Sequence, residues 1–182
     1  MLRTSAPVTL AFFVLALAGC ASPGAGHDHG AMGGGRMAVA SLTPTQGNNV
    51  RGLVVFHEVD GRVTVHAKVS GLKPNSEHGM HVHENGSCAS TDGTSAGGHF
   101  NPDTKPHGPQ SAPHHAGDLP ALKADASGVA DQKFTLVGPT VADGPTSLVG
   151  RSVIVHAQAD DYATQPTGNS GARIACGVIA AY

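Results

Sequence analysis

The chain has 182 residues and a formal net charge of −2, with 11 Lys and Arg against 13 Asp and Glu. Its length suits one domain once a leader is set aside, and the absence of a basic stripe excludes nucleic acid as a partner. Only 13% of residues are charged and 4% aromatic, with no Trp, whereas there are 25 Gly and 12 Pro; this suits an all-β domain with long ordered loops and a core of Val, Ile, Leu and Ala better than a helical one.

Residues 1–19 read as a signal peptide. Arg3 supplies the positive start, and residues 8–17 form an uncharged apolar run. The run is shorter than the roughly 20 residues a spanning helix needs. Leu17-Ala18-Gly19-Cys20 resembles the bacterial lipobox, in which the Cys carries lipid; the alternative is a plain signal peptide cut after Ala16-Leu17-Ala18. Cysteine arithmetic favours the lipobox: Cys88 and Cys176 can pair, which would leave Cys20 as an odd thiol in an oxidising compartment. Residues 20–36 then form a lipidated Gly/Ala/Ser-rich tether, and 37–182 the folded domain. His27, His29, Met32 and Met37 could capture copper or zinc for transfer, but a polar spacer is the favoured reading.

Strand patterns begin at residues 50–58, followed by Asp60-Gly61 and residues 62–70. Asp-Gly between two such runs predicts a type I′ hairpin. Val63, Val65, Ala67 and Val69 alternate with Arg62, Thr64, His66 and Lys68, so one face is buried and one wet. His66 on the wet face and His57 near the turn read as surface histidines. Residues 71–75 form a turn, and 78–83 the next strand. Residues 84–121 show no sustained period. A structureless loop of that length needs something other than a core to hold it, and metal ligands together with Cys88 supply that. Further strands are predicted at 128–137, 152–157 and 172–180, with a Gly/Asp/Asn-rich loop at 160–171. Short strands separated by turns indicate a sandwich or barrel.

The chemistry lies in His81, His83, His99, His107, His115, Asp118 and His156. Residues two apart on a strand share a face, so His81 and His83 can grip one ion. His99, His107, His115 and Asp118 offer three imidazoles and a carboxylate, a tetrahedral zinc set. His81, His83, His156 and one shared His would give copper(II) a nitrogen-rich set. If His99 serves both ions through its two ring nitrogens, it must become an imidazolate, which two flanking dications make feasible.

Five segments resemble the copper/zinc superoxide dismutases, in their bacterial secreted branch, over residues 50–179. They are Gly79-Met80-His81-Val82-His83-Glu84, Ala96-Gly97-Gly98-His99-Phe100-Asn101-Pro102, His115-Ala116-Gly117-Asp118-Leu119, Val155-His156-Ala157, and the run from Gly171-Ala172-Arg173 through Cys176 to Ile179. The resemblance implies a Greek-key β-barrel or flattened sandwich of about eight antiparallel strands; the family is itself counted among β-sandwich architectures. It implies one copper on His81, His83, His99 and His156, and one zinc on His99, His107, His115 and Asp118. His114 is expected to be a neighbour, not a ligand. Arg173 matches the arginine that attracts and orients the substrate anion, and Asp160 the aspartate that bridges two ligand histidines. Cys88 and Cys176 match the family's disulfide. The implied reaction converts superoxide to dioxygen and hydrogen peroxide in the periplasm or cell envelope, with membrane contact only through a lipid on Cys20. Lys105 and Lys123 are weaker candidates for steering than for ordinary surface roles. A homodimer stays open, although a Cys88–His99 spacing longer than in the eukaryotic branch argues against that branch's dimer contact. The rivals are a secreted copper/zinc store and a copper-free structural relative. A store has no use for Arg173 or a shared ring, and a copper-free relative should lack a copper ligand.

Overall fold

The structure is a computed structural model and describes residues 1–2 and 35–182. Most of the leader, Cys20, His27, His29 and Met32 lie outside the described residues. Chain contacts separate Met1–Met32 from Gly33–Tyr182, and the fold is that of the second unit.

The hairpin forms where the sequence places it. Strands β2 (Arg51–Val59) and β3 (Arg62–Ser70) pair antiparallel. Asp60 and Gly61 both take positive φ, 50° and 72°, as a type I′ turn requires. Val63, Val65, Ala67 and Val69 are fully buried, while His66 on the opposite face hydrogen-bonds exposed Asp131 at 2.7 Å. The remaining strands are β1 (Arg36–Pro44), β4 (Glu77–His78), β5 (Met80–His83), β6 (Leu122–Lys123), β7 (Ala130–Leu136), β8 (Ser152–His156) and β9 (Arg173–Ala181). A 3₁₀ turn, Thr94–Ala96, is the one helical element among the described residues.

Seven strands form a single antiparallel sheet in the order β5-β8-β9-β1-β2-β3-β7, and β4 pairs with β6 in a two-stranded ribbon. β4 leads into β5 at one edge of the large sheet, and β6 leads into β7 at the other. The ribbon therefore links the two edges of a curled sheet, the all-β barrel expected from the sequence. Closure removes exposed strand edges. The core holds Val54, Phe56, Met80, Val82, Leu122, Leu136, Val153 and Ile179.

β1 precedes position 50, where the sequence first shows strand patterns. Its alternation is carried by Ala38, Ala40 and Leu42, and two alanines give little hydrophobic contrast. Met37 lies in β1 opposite His57 and is not part of a free tether. β6 is too short to show any period.

Cys88 and Cys176 form a disulfide with Cα atoms 5.8 Å apart and a sequence separation of 88. The bridge ties the long loop to β9 and packs with Ala96 and Ile154. Closing a loop of that length stabilises the fold by about 4–5 kcal/mol in the chain-entropy description. The Cys88→Ser, Cys176→Ser double variant is expected to lose that amount in urea unfolding of the metal-free protein. A loss under about 1 kcal/mol would place the bridge at the bottom of the usual range.

Candidate metal centre

β5 aims His81 and His83 to one side while Met80 and Val82 enter the core, and all four are buried. The long loop then lies down against this strand. Val82 N–H donates to Gly117 O, Phe100 N–H to Val82 O, and Gly117 N–H to Phe100 O, each at 2.8 Å. These contacts place His99 opposite His83 and Asp118 opposite His81 as isolated β-bridges. Gly117 is required here, because a Cβ at that position would overlap Val82 O. His156 arrives from the end of β8, where the register with β9 shifts, and its N–H donates to Gly79 O at 2.8 Å.

The ring nitrogens are fixed by their partners. His83 Nδ1–H donates to Gly97 O at 2.9 Å and His156 Nδ1–H to Gly171 O at 3.1 Å. Carbonyls only accept, so Nε2 of both rings carries a lone pair. His81 Nε2–H donates to Asp160 Oδ2 at 2.6 Å, leaving Nδ1 as its lone-pair atom. The nitrogens left buried without a partner are His81 Nδ1, His83 Nε2, His99 Nε2 and His156 Nε2. The same residues offer ligand atoms that all lie within 4.8 Å of one another. A buried nitrogen without a partner costs about 1–3 kcal/mol, and four aimed at one point fit a cation. Burial holds the rings neutral, lowering His81 to about 4, His83 to about 2 and His156 to about 3. Neutral imidazole is the ligating form.

The second group centres on Asp118. Its Oδ1 lies 2.9 Å from His107 Nδ1, 3.0 Å from His99 Nδ1 and 3.2 Å from His115 Nδ1. His99 and His115 Nδ1 are 3.4 Å apart. Three imidazoles could all donate to one oxygen only with protons on every Nδ1, yet two N–H groups at that separation repel. Four donors about 2.0–2.1 Å from a tetrahedral centre have edges of roughly 3.3–3.4 Å, close to these distances. The residues therefore fit zinc. His81, His99, His107 and Asp118 also offer atoms within 4.8 Å of one another. The His81 ring is committed elsewhere, to Asp160 and to the first group, so His115 completes the second.

Asp118 Oδ2 accepts from Gly108 N–H at 3.1 Å and His115 N–H at 2.9 Å. Burial pushes its carboxyl up, but hydrogen bonds from His107 and His99 outweigh it and hold the group well below the usual carboxylate range. Burial likewise lowers His107, yet Asp118 and Asp160 together raise it to about 9. Asp160 spans the two groups, accepting from His81 through Oδ2 and from His107 Nε2 through Oδ1 at 2.9 Å. His99 faces both groups, with Nδ1 toward Asp118 and Nε2 toward the other three imidazoles.

Arg173 sits beside the first group, half-buried. Its Nη1 donates to Gly93 O and its Nη2 to Gly97 O, both at 2.7 Å. An adjoining cleft is lined by Thr45, Asn48, Thr91, Asp92, Gly171 and Arg173. The peripheral candidates stay outside the cluster. Half-buried His114 bonds its ring to Ala112 O, Lys105 pairs with Asp103 at 3.0 Å, and Lys123 pairs with Glu77 at 3.2 Å. Sequence reasoning missed the carbonyls of Gly93, Gly97 and Gly171, because main-chain acceptors leave no mark on residue type. It also missed buried His78, which donates from Nδ1 to the His156 carbonyl at 2.9 Å.

An antiparallel barrel whose loops gather two abutting groups of candidate ligands around one shared ring defines a β-barrel protein with two candidate metal sites. The family model for copper/zinc superoxide dismutase matches residues 50–179. A superoxide dismutase-like protein of Bacillus subtilis is 38% identical over 143 residues, covering 76% of this chain and 73% of the relative. A Cu-Zn superoxide dismutase of Candida glabrata is 43% identical over 157 residues, covering 78% and 96%. The crystal structure of a SOD-like protein from Bacillus subtilis superposes with a TM-score of 0.70 at 38% identity, covering 77% of this chain and 96% of that one. The chain belongs to the copper/zinc superoxide dismutase family.

Proposed function

We propose that this chain is an active superoxide dismutase of the bacterial cell envelope. His81, His83, His99 and His156 would hold copper, and His99, His107, His115 and Asp118 would hold zinc. The observation that carries this is His99, whose two ring nitrogens face two complete donor sets. A relative described only as superoxide dismutase-like makes the completeness of both sets the deciding feature for this chain. Bound copper supplies a one-electron couple that takes an electron from one superoxide, releasing dioxygen, and returns it to a second, which with two protons gives hydrogen peroxide.

The chain's own residues set the conditions for that exchange. His99 can gain or lose a proton at Nε2 while its Nδ1 stays beside Asp118, so the ring keeps its place as its protonation changes. Arg173 presents a fixed positive charge to an anionic substrate, its fork anchored by two carbonyls. Copper/zinc superoxide dismutases are a standard example of electrostatic steering, in which such charges raise association rates by about 10- to 1,000-fold. Arg173→Ala is expected to lower kcat/KM by about 10-fold or more at low ionic strength, with the deficit shrinking as salt screens the field. A deficit that does not respond to salt would remove the steering role. The same residue argues against a metal store, which needs no anion guide.

Location in the envelope rests on Leu17-Ala18-Gly19-Cys20 and on the disulfide, which persists in oxidising compartments. Mass analysis of the mature N-terminus should find Cys20 first and lipidated. The function itself is tested by loading the purified protein with copper and zinc. One of each per chain, with superoxide consumption lost on copper removal and restored on its return, is expected. Full loading without turnover would leave a binding protein.

A further inference from the structure

His107 is held from two directions by the segment between β8 and β9. Asp160 takes a hydrogen bond from its ring at Nε2, 2.9 Å away. Gln165 grips its main chain: Oε1 accepts the His107 N–H at 2.8 Å, and Nε2 donates to the His107 carbonyl, also at 2.8 Å. One side-chain amide thus does for His107 what a neighbouring strand would do, pairing both main-chain groups of a single residue. His107 lies in a stretch with no strand of its own to supply that pairing. The close approach depends on Gly168, where a Cβ would overlap Asp160 Oδ1 and His107 Nε2 and where φ is +64°.

We infer that Gln165 is a positioning residue for the zinc centre, clamping the His107 main chain so that its ring Nδ1 stays turned toward Asp118. The inference rests on the reading of His107 as a zinc ligand. Other side chains do not reproduce the clamp. Glutamate accepts but cannot donate, and sets a carboxylate against the His107 carbonyl. Asparagine is one methylene too short to reach. Because the same segment carries Asp160, the clamp also fixes the distance over which Asp160 spans the two ligand groups.

The test uses the full mature chain with Co(II) in the zinc position, since tetrahedral Co(II) has visible bands that report its ligand geometry. It is paired with competition for zinc by a chromophoric chelator. Gln165→Ala and Gln165→Glu are expected to bind zinc about 10- to 100-fold more weakly, the usual effect of removing a group that orients a metal ligand. Their Co(II) spectra should change, with zinc affinity falling far more than copper retention. Parent-like zinc affinity and spectrum in Gln165→Ala would overturn the inference. So would an equal loss of copper and zinc alongside a lowered metal-free melting point, which would mark general loosening of the loop. A parent chain that takes up no Co(II) would instead overturn the reading of the zinc site.

Discussion

Replacing His156 with alanine is expected to abolish superoxide turnover and copper retention while leaving zinc in place. His156 contributes Nε2 to the first ligand group and takes no part in the second. Its main-chain N–H bond to Gly79 O and the end of β8 survive the substitution, so the fold should persist and the loss be specific. The variant leaves three imidazoles where four converged. A ligand coordinates directly, so its removal should exceed the roughly 10- to 100-fold cost of losing an outer partner. Metal analysis of the purified variant, with activity measured on the same sample, decides the matter. Full copper content or parent-like turnover would end the assignment of His156.

A second large effect is expected at Asp118. Its side chain is buried to 1% exposure and meets three ring nitrogens on Oδ1 and two main-chain N–H groups on Oδ2. Asp118→Ala removes the carboxylate that all of them face. It strips the zinc site of its negative charge and leaves the Gly108 and His115 N–H groups unpaired. Apparent binding energies of structural zinc sites run to about 10–16 kcal/mol, so the variant should lose stoichiometric zinc and free residues 101–121 to exchange amide hydrogens. β2 and β3, on the far side of the barrel, should keep their protection. Asp118→Asn is expected to fare little better, because its NH₂ must face either the imidazoles or the two N–H donors. Retention of zinc by Asp118→Asn at parent affinity would contradict this account.

The sequence reveals the candidate ligands better than the frame that holds them. His81 and His83 are readable because strand period and ligand chemistry coincide on one face. Asp60-Gly61 is readable because only a few residue types accept positive φ. The structure brings the side chains of both candidate ligand sets close to one another, and Cys88 meets Cys176. β1 escapes notice because its inward positions are filled by Ala38 and Ala40, small residues that contrast little with their neighbours. The loop from 84 to 121 shows no period because its order comes from Gly117, Phe100 and Val82 exchanging main-chain hydrogen bonds across distant positions. Gln165 is invisible for a similar reason: its partner is the backbone of a residue in another loop, and a glutamine in a polar stretch has no distinguishing pattern.

The Gly97 carbonyl receives both the His83 ring and the Arg173 guanidinium. One oxygen atom therefore sets the pose of an imidazole in the first ligand group and of the guanidinium beside it. A shift in that peptide plane would disturb both together, so neither can be retuned alone through this loop. Under the proposed function, attempts to alter anion capture without disturbing the ligand group would do better to add or remove charge along the wall of the cleft, at positions such as Asp92 or Asn48.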